Sequence, residues 1–340
     1  MKSDQPKLNK AQLRTFIESM LVPHTAFINA TKYLEQGFDV AETIRDPIGL
    51  FISGESRTGK TRLLEGFRAA HPTYRTEEGL MVPVLYVEVP SKPTVKGLAS
   101  EILAALGDPL ADKGTEQEKT RRLLKYLKRC KTRVLILDEF QNFVDKSTKF
   151  TVIHHVSDWL KNLLNQAKIV TIIAGLPYGE AVLGQNEQLR GRFTKSIQLP
   201  RFEWKDDNLR NQFLGLLDGF TGLLRQQFHT VDLGSDEMAY RFYLASGGLT
   251  GYVFNIIRLA AWNVIDDERT SITIEDLDSG YQRFVSEVDQ FSTSPFSKKF
   301  NLTDGNAFEK ASRVGLRAED YVPEKSLRRY KPRTTREALA

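Results

Sequence analysis

The chain holds one cysteine, Cys130, among 340 residues. An intramolecular disulfide is therefore excluded, and the composition suits a reducing compartment. No apolar run reaches the length needed to span a bilayer. The first residues, Met1 to Lys10, are polar and do not look like a signal peptide. A cytoplasmic protein without membrane contact is the expectation. Internal repeats and low-complexity tracts are also missing. Metal-ligand spacing is absent too. His154 and His155 lie on an expected helix without Cys or carboxylate partners at ligating spacing, and read as ordinary helix residues.

Net charge is lacking over most of the chain. The overall balance is +5, and the segment Ser297 to Ala340 carries all of it, with 11 Lys and Arg against 6 Asp and Glu. A basic tail suits nucleic acid or an acidic protein partner, or simply solubilises a disordered end. With no net charge on the body, any contact to nucleic acid must come from a local patch.

What is present begins with a hydrophobic content of 41%, ample for one large domain or two modest ones. Gly54-Glu55-Ser56-Arg57-Thr58-Gly59-Lys60-Thr61 fits G-x-x-x-x-G-K-[ST], the phosphate-binding loop of nucleoside triphosphatases. An apolar run, Ile48 to Ile52, reads as the buried strand before it. Arg62 to Phe67 reads as the helix after it. Backbone N–H groups at such a helix start surround phosphate oxygens without side-chain bulk. Lys60 would reach the β- and γ-phosphates of ATP, and the Thr61 hydroxyl would bind Mg²⁺.

Arg133 to Glu139 (RVLILDE) is a second apolar run, and it ends in two carboxylates. It has the character of a parallel strand buried on both faces. Asp138 would hold Mg²⁺, and Glu139 would orient and deprotonate the attacking water. A carboxylate after the Asp argues for hydrolysis beyond nucleotide binding.

Along the chain, residues 9 to 40 read as helical, with Leu13, Phe16, Ile17, Met20 and Leu21 on one stripe and an interruption at Pro23. A strand over 82–89 and helices over 95–106 and 116–130 follow. After the Asp138 strand come a helix over 150–166, a strand over 169–174, a helix running to Leu189 and a strand over 196–199. Strands alternating with helices imply a parallel sheet with right-handed crossovers. Beyond Pro200 the pattern is all-helical, near 206–217, 235–246, 250–267 and 274–290. From about residue 292 the apolar periodicity fades, and an extended or disordered tail is expected. The expected layout is an N-terminal helical segment over 1–40, an α/β nucleotide-binding domain over 41–203, a helical lid over 204–290 and a basic, flexible tail over 291–340.

Arg192, and after it Arg190, lie just before the last strand, at an edge that faces outward. Either could reach a nucleotide on a neighbouring subunit and stabilise charge developing on the γ-phosphate.

Phosphate loop, Asp-Glu strand, arginine before the last strand and helical lid together resemble the AAA+ ATPases. Leu137 to Phe143 (LDEFQNF), Glu187 to Phe193 (EQLRGRF), the aromatic-rich Leu199 to Trp204, and Ser246 to Tyr252 (SGGLTGY) are similar to segments of the TnsC/TniB proteins. These are ATPase regulators of transposons related to the CRISPR-associated ones. The resemblance covers roughly residues 10 to 285. It implies a P-loop α/β fold with a small helical lid. It also implies ATP held between subunits, a ring or filament on double-stranded DNA, and partners in a target-selection protein and a transposase. Pore-side DNA contacts would come from the region of Lys92, Lys96, Thr115, Lys119 and Arg121, while Arg122, Lys125 and Lys128 read as a solvated helix face.

Two departures from the AAA+ pattern stand out. The strand 169–174 does not end in a polar sensor residue, and Thr171 lies early in it. Gly251-Tyr252 stands where a lid arginine is common, with Arg258 the remaining candidate. Weak sensing suits slow, regulatory hydrolysis. The rivals are another AAA+ DNA protein (a replication initiator or helicase loader) and a nucleotide-switched signalling ATPase without DNA binding. An initiator would usually carry a winged helix after the lid, and the residues beyond 290 are too few and too polar for one.

Overall fold

The computed structural model describes residues 8–43, 46–91, 93–144, 150–184, 186–284 and 291–315. Helices α1 (Lys10–Ser19) and α2 (Thr25–Val40) come first, then β1 (Gly49–Ser53) and α3 (Lys60–Ala70). A small hairpin, β2 (Tyr74–Thr76) and β3 (Gly79–Met81), leads to β4 (Val84–Glu88). Next are α4 (Val95–Ala105), α5 (Glu116–Arg129), β5 (Val134–Asp138), α6 (Phe150–Ala167) and β6 (Val170–Gly175). Two short helices, α7 (Glu180–Leu183) and α8 (Glu187–Arg190), precede β7 (Phe193–Gln198). The remainder is α9 (Asp207–Leu224), β8 (His229–Thr230), α10 (Asp236–Ser246), α11 (Thr250–Asp266), β9 (Ser271–Ile272), α12 (Ile274–Phe284) and α13 (Ala307–Ser312).

Contacts divide the described residues into two units. One holds residues up to Thr25 together with those from Pro200 onward, and the other runs from Ala26 to Leu199. The second is an α/β unit with a parallel sheet in the order β4-β5-β6-β1-β7. Alternation along the strands explains why both faces are covered. Phe51, Leu85, Val87, Leu135, Leu137 and Ile173 point to one side, into a core with α4, α5 and α6. Leu50, Ile52, Val84, Val134, Ile136 and Ile172 point to the other, onto α2 and α3. With period-2 side chains and helices on both faces, central strands must be apolar throughout, and β5 is buried at every position. Caps fix several helix starts. Thr94 caps α4, and Thr115 with Glu118 forms a capping box on α5.

The helical unit packs α9 to α12 around Phe213, Leu217, Phe242, Ile256 and Tyr281. Residues 8–40 divide between the two units at Thr25. Ile17 of α1 and Met20 just after it join the helical core, whereas Phe27, Ala30 and Leu34 of α2 pack on the sheet. Leu21, expected on the inner stripe, is 43% exposed because α1 has already ended. The expected helix to Leu189 is two short helices, and β7 begins at Phe193, ahead of the expected strand.

The expected tail also needs correction. Residues 291–315 fold onto the helical unit, burying Phe291, Phe296, Ala307, Ala311 and Val314. The Arg241 guanidinium donates to the carbonyls of Pro295 and Ser297, and Arg201 donates to those of Gly247, Ser312 and Val314. These anchors are aromatics and small residues without helical period, which is why the apolar pattern seemed to fade. Residues 316–340, the rest of the basic tail, lie outside the described residues.

Asp276 is the helical unit's most heavily bonded carboxylate among the described residues. It accepts from Arg269 Nη1 at 3.0 Å and Nη2 at 2.5 Å, and from Thr273 N at 2.8 Å. Burial alone would raise its pKa. The Arg269 fork and the Thr273 bonds outweigh burial and hold it below the ordinary value. Asp276→Asn should cost about 1–3 kcal/mol of unfolding free energy at neutral pH. Because the folded-state pKa is depressed, the contribution is present above the ordinary carboxylate value and is lost as pH falls through the folded one. Melting curves should therefore separate wild type from the variant at pH 7 and converge as the buffer is acidified below about pH 4. Equal stability at pH 7 would contradict the assignment.

Candidate nucleotide site

The site forms where β1 ends. Gly54 opens the loop with its N–H donating to the Gly175 carbonyl at 3.3 Å. A Cβ there would lie 2.5 Å from the Leu199 carbonyl oxygen and 2.7 Å from Thr58 Oγ1, so only glycine fits. Arg57 (φ 67°) and Gly59 (φ 96°) are left-handed and curl the loop. Thr58 Oγ1 donates to the Glu55 carbonyl at 2.9 Å, bracing the curl, and Glu55 is half-buried. Ser56, Arg57 and Arg62 are exposed around the loop. Gly59 caps α3 with no side chain of its own, at the helix start whose first-turn N–H groups favour an anion. Lys60 is 7% exposed, and its ammonium donates to the Gly54 and Glu55 carbonyls at 2.8 Å each. The cation is thereby held inside the loop.

Asp138 ends β5 and is 1% exposed. Its Oδ2 accepts from Thr61 Oγ1 at 3.0 Å and from the Tyr86 hydroxyl at 2.9 Å, and its Oδ1 accepts from Glu139 N at 2.8 Å. The hydroxyl and carboxylate expected to hold Mg²⁺ thus touch across 77 residues of sequence. Tyr86 was not legible beforehand. The available signal was one hydroxyl in the apolar run Val82 to Val89, on the strand that pairs with β5. Burial, then the Asp138 charge, push the Tyr86 phenol far up, so it stays a donor.

Glu139 follows in a left-handed conformation, φ 56° and ψ 35°, unusual for a residue with a side chain and a form of strain concentrated at functional sites. Burial and the Asp138 carboxylate push its pKa up. Its carboxylate accepts from Gln141 Nε2. Asn142 ties the same turn to the residue after β4, donating to the Val89 carbonyl at 2.7 Å.

The other expected residues are more scattered. Arg190 ends α8 and is exposed. Arg192 is half-buried, with an Nε that has no hydrogen-bond partner among the described residues. Both precede β7, which is the sheet's edge strand. Lys96 and Arg121 are exposed, and Thr115 is exposed with its hydroxyl serving as the α5 cap. Lys92 lies outside the described residues. Lys119 must be removed from the surface patch. It is 1% exposed, donates to Ser100 Oγ and to the Ala111 carbonyl, and burial lowers its pKa. The helix period turns Lys119 inward with Leu123 while Arg121 faces out. Thr171 is fully buried beside Gly49 and Leu135, at the start of β6 and away from Asp138. Arg258 sits 3.8 Å from Glu18 and over the Trp262 ring within the helical unit. No helix of the described residues is long and apolar enough to cross a membrane.

A parallel sheet in this order, a phosphate loop after β1 and an Asp-Glu pair at the end of β5 define the α/β P-loop fold of the AAA+ class. The chain belongs to the TniB family, since the family model for the bacterial TniB protein matches residues 12–205, more than half of its length. The solved structure of Cdc6p from Pyrobaculum aerophilum is 15% identical, with a TM-score of 0.58 over 93% of this chain and 87% of that one. The Aeropyrum pernix ORC2 protein, solved as ADPNP-ADP complexes, is 14% identical, with a TM-score of 0.57 over 81% of this chain and 72% of that one. The Aeropyrum pernix ORC1 protein, solved in complex with DNA, is 16% identical, with a TM-score of 0.54 over 82% and 70%. At these identities the likeness is one of fold. No curated protein matches the sequence.

Gly54 offers a direct test of the loop. Gly54→Ala should weaken binding of a slowly hydrolysed ATP analogue at least tenfold, about 1.4 kcal/mol, while circular dichroism remains that of the folded chain. Unchanged affinity would mean that the loop does not cradle phosphate.

Proposed function

We propose that this protein is an ATP-dependent regulator of transposition. In this reading it oligomerises on double-stranded DNA and links a target-selection protein to a transposase, in an element akin to the CRISPR-associated transposons. The observation that carries the reading is the Thr61–Asp138 contact beside the Lys60 loop, in a chain of the TniB family. Support for the nucleotide and DNA comes from the similar folds solved with ADPNP and ADP in one case and with DNA in another.

The chemistry is attack of water on the γ-phosphate of ATP, with the bond to the β,γ-bridging oxygen breaking as the new P–O bond forms, so that ADP and inorganic phosphate leave. Lys60 leaves the loop carbonyls to neutralise the β- and γ-phosphate oxygens, and the α3 N–H groups receive the triphosphate. Thr61 and Asp138 are the oxygen donors suited to Mg²⁺, which when bound supplies positive charge to the phosphate oxygens. Glu139 accepts the proton of the attacking water on a carboxylate oxygen. Arg192, or Arg190 beside it, reaches a neighbouring subunit's nucleotide and stabilises developing charge; their position just before the edge strand β7 supports this. DNA contact falls to Lys92, Lys96, Thr115 and Arg121, through phosphates and without sequence preference.

A binding assay on random double-stranded DNA tests this, comparing a slowly hydrolysed analogue with ADP across a salt series. Binding should be cooperative, analogue-dependent and lost in Lys60→Ala, and should fall steeply with salt. Equal or absent binding in both nucleotides would favour a signalling ATPase without DNA.

A further inference from the structure

Gln141 bridges two parts of the site, the Glu139 turn after β5 and the end of β6. Its Oε1 accepts from Leu176 N at 3.0 Å, just past the end of β6. Its Nε2 donates to Glu139 Oε2. The orientation of the amide follows from this network, because a backbone N–H can only meet the oxygen end and a carboxylate is best met by the nitrogen end. The Gly175–Leu176 peptide has a second bond on its other side, where the Gly175 carbonyl accepts from Gly54 N at 3.3 Å. One continuous path therefore runs from the first residue of the phosphate loop, through a single peptide group and one side-chain amide, to the Glu139 carboxylate.

The surroundings leave little freedom in this path. A Cβ on Gly175 would lie 2.5 Å from Gln141 Oε1 and 3.3 Å from the backbone nitrogens of Phe140 and Gln141. Glu139 has a left-handed backbone, so its side chain leaves the strand end in a direction that the regular strand geometry does not set. Something must aim that carboxylate, and Gln141 is the side chain bonded to it. β6 itself supplies no polar side chain at this end, since its last residues are Ile173, Ala174 and Gly175.

We propose that Gln141 is a positioning residue for hydrolysis: it aims the Glu139 carboxylate and couples that aim to the phosphate loop through the Gly175–Leu176 peptide. The proposal rests on Glu139 being the general base. Three variants probe it. Gln141→Leu removes both bonds at similar volume. Gln141→Glu keeps the acceptor for Leu176 N and places a second carboxylate against Glu139. Gly175→Ala displaces the amide oxygen while leaving Gln141 in place.

Hydrolysis is measured under single turnover with labelled ATP, and affinity separately with a slowly hydrolysed analogue, on the full chain with DNA present. A positioned general base is worth roughly 10²–10⁴ in rate, so each variant should lose about tenfold or more in the hydrolysis step. For the two Gln141 variants analogue affinity should stay within about threefold, because the amide touches neither Lys60 nor Asp138; Gly175 itself holds Gly54, so Gly175→Ala is read on the hydrolysis step alone. In a Glu139→Gln background, Gln141→Leu should cause no further loss, since the group it aims is gone. A merely structural role would instead give additive losses, or losses shared with affinity, and either result overturns the proposal. A wild-type chain without Lys60-dependent hydrolysis would overturn the ATPase reading itself, and this proposal with it. Should Gln141→Leu not fold, Gln141→Glu gives the same decision.

Discussion

The Asp138 carboxylate is the group on which the site depends. A carboxylate 1% exposed at the end of a buried strand is costly unless its oxygens are bonded. Here three donors reach it from different places: Thr61 on α3, Tyr86 on β4 and the Glu139 backbone that follows it. Satisfying one buried charge therefore pins the phosphate-loop helix to the sheet, pulls the neighbouring strand's phenol into the cleft, and bends the chain so that Glu139 turns left-handed. Thr61 and Asp138 would be close even if neither bound anything, and closeness of a hydroxyl and a carboxylate is what a magnesium–nucleotide site requires.

Much of this was legible because the chemistry is local. The Gly54–Thr61 loop is contiguous, and glycine at 54 is demanded by a backbone carbonyl 2.5 Å from where a Cβ would sit. The apolar runs around Leu50 and Leu135 could only be central parallel strands, given their lack of alternation. What could not be read was side-chain geometry across elements. Tyr86 and Gln141 matter through partners 52 and 35 residues away; Gln141 stands inside the LDEFQNF run, but the run does not show that its amide reaches Leu176.

Charge proved the least reliable guide. Lys119 sits in a lysine- and arginine-rich helix and reads as surface, yet one helical step decides that it faces Ser100 and Ala111 from inside. Its stem is buried while hydroxyl and carbonyl oxygens receive the ammonium, a compromise open to long cationic side chains. The segment 291–315 misled in the opposite direction. Its lysines suggested a free tail, but Phe291, Phe296 and Val314 give it a buried face, and the buried Arg241 satisfies two of its carbonyls.

The central claim is that Asp138 and Thr61 complete a nucleotide site that uses Mg²⁺. Titrating a fluorescent, slowly hydrolysed ATP analogue into wild type and Asp138→Asn, each with Mg²⁺ and with EDTA, tests it most directly. Mg²⁺ should tighten binding to wild type by about tenfold or more and leave the variant nearly unchanged, with both proteins equally folded. The same Mg²⁺-dependent gain in Asp138→Asn would mean that this carboxylate serves the fold alone, and that the site reading is wrong.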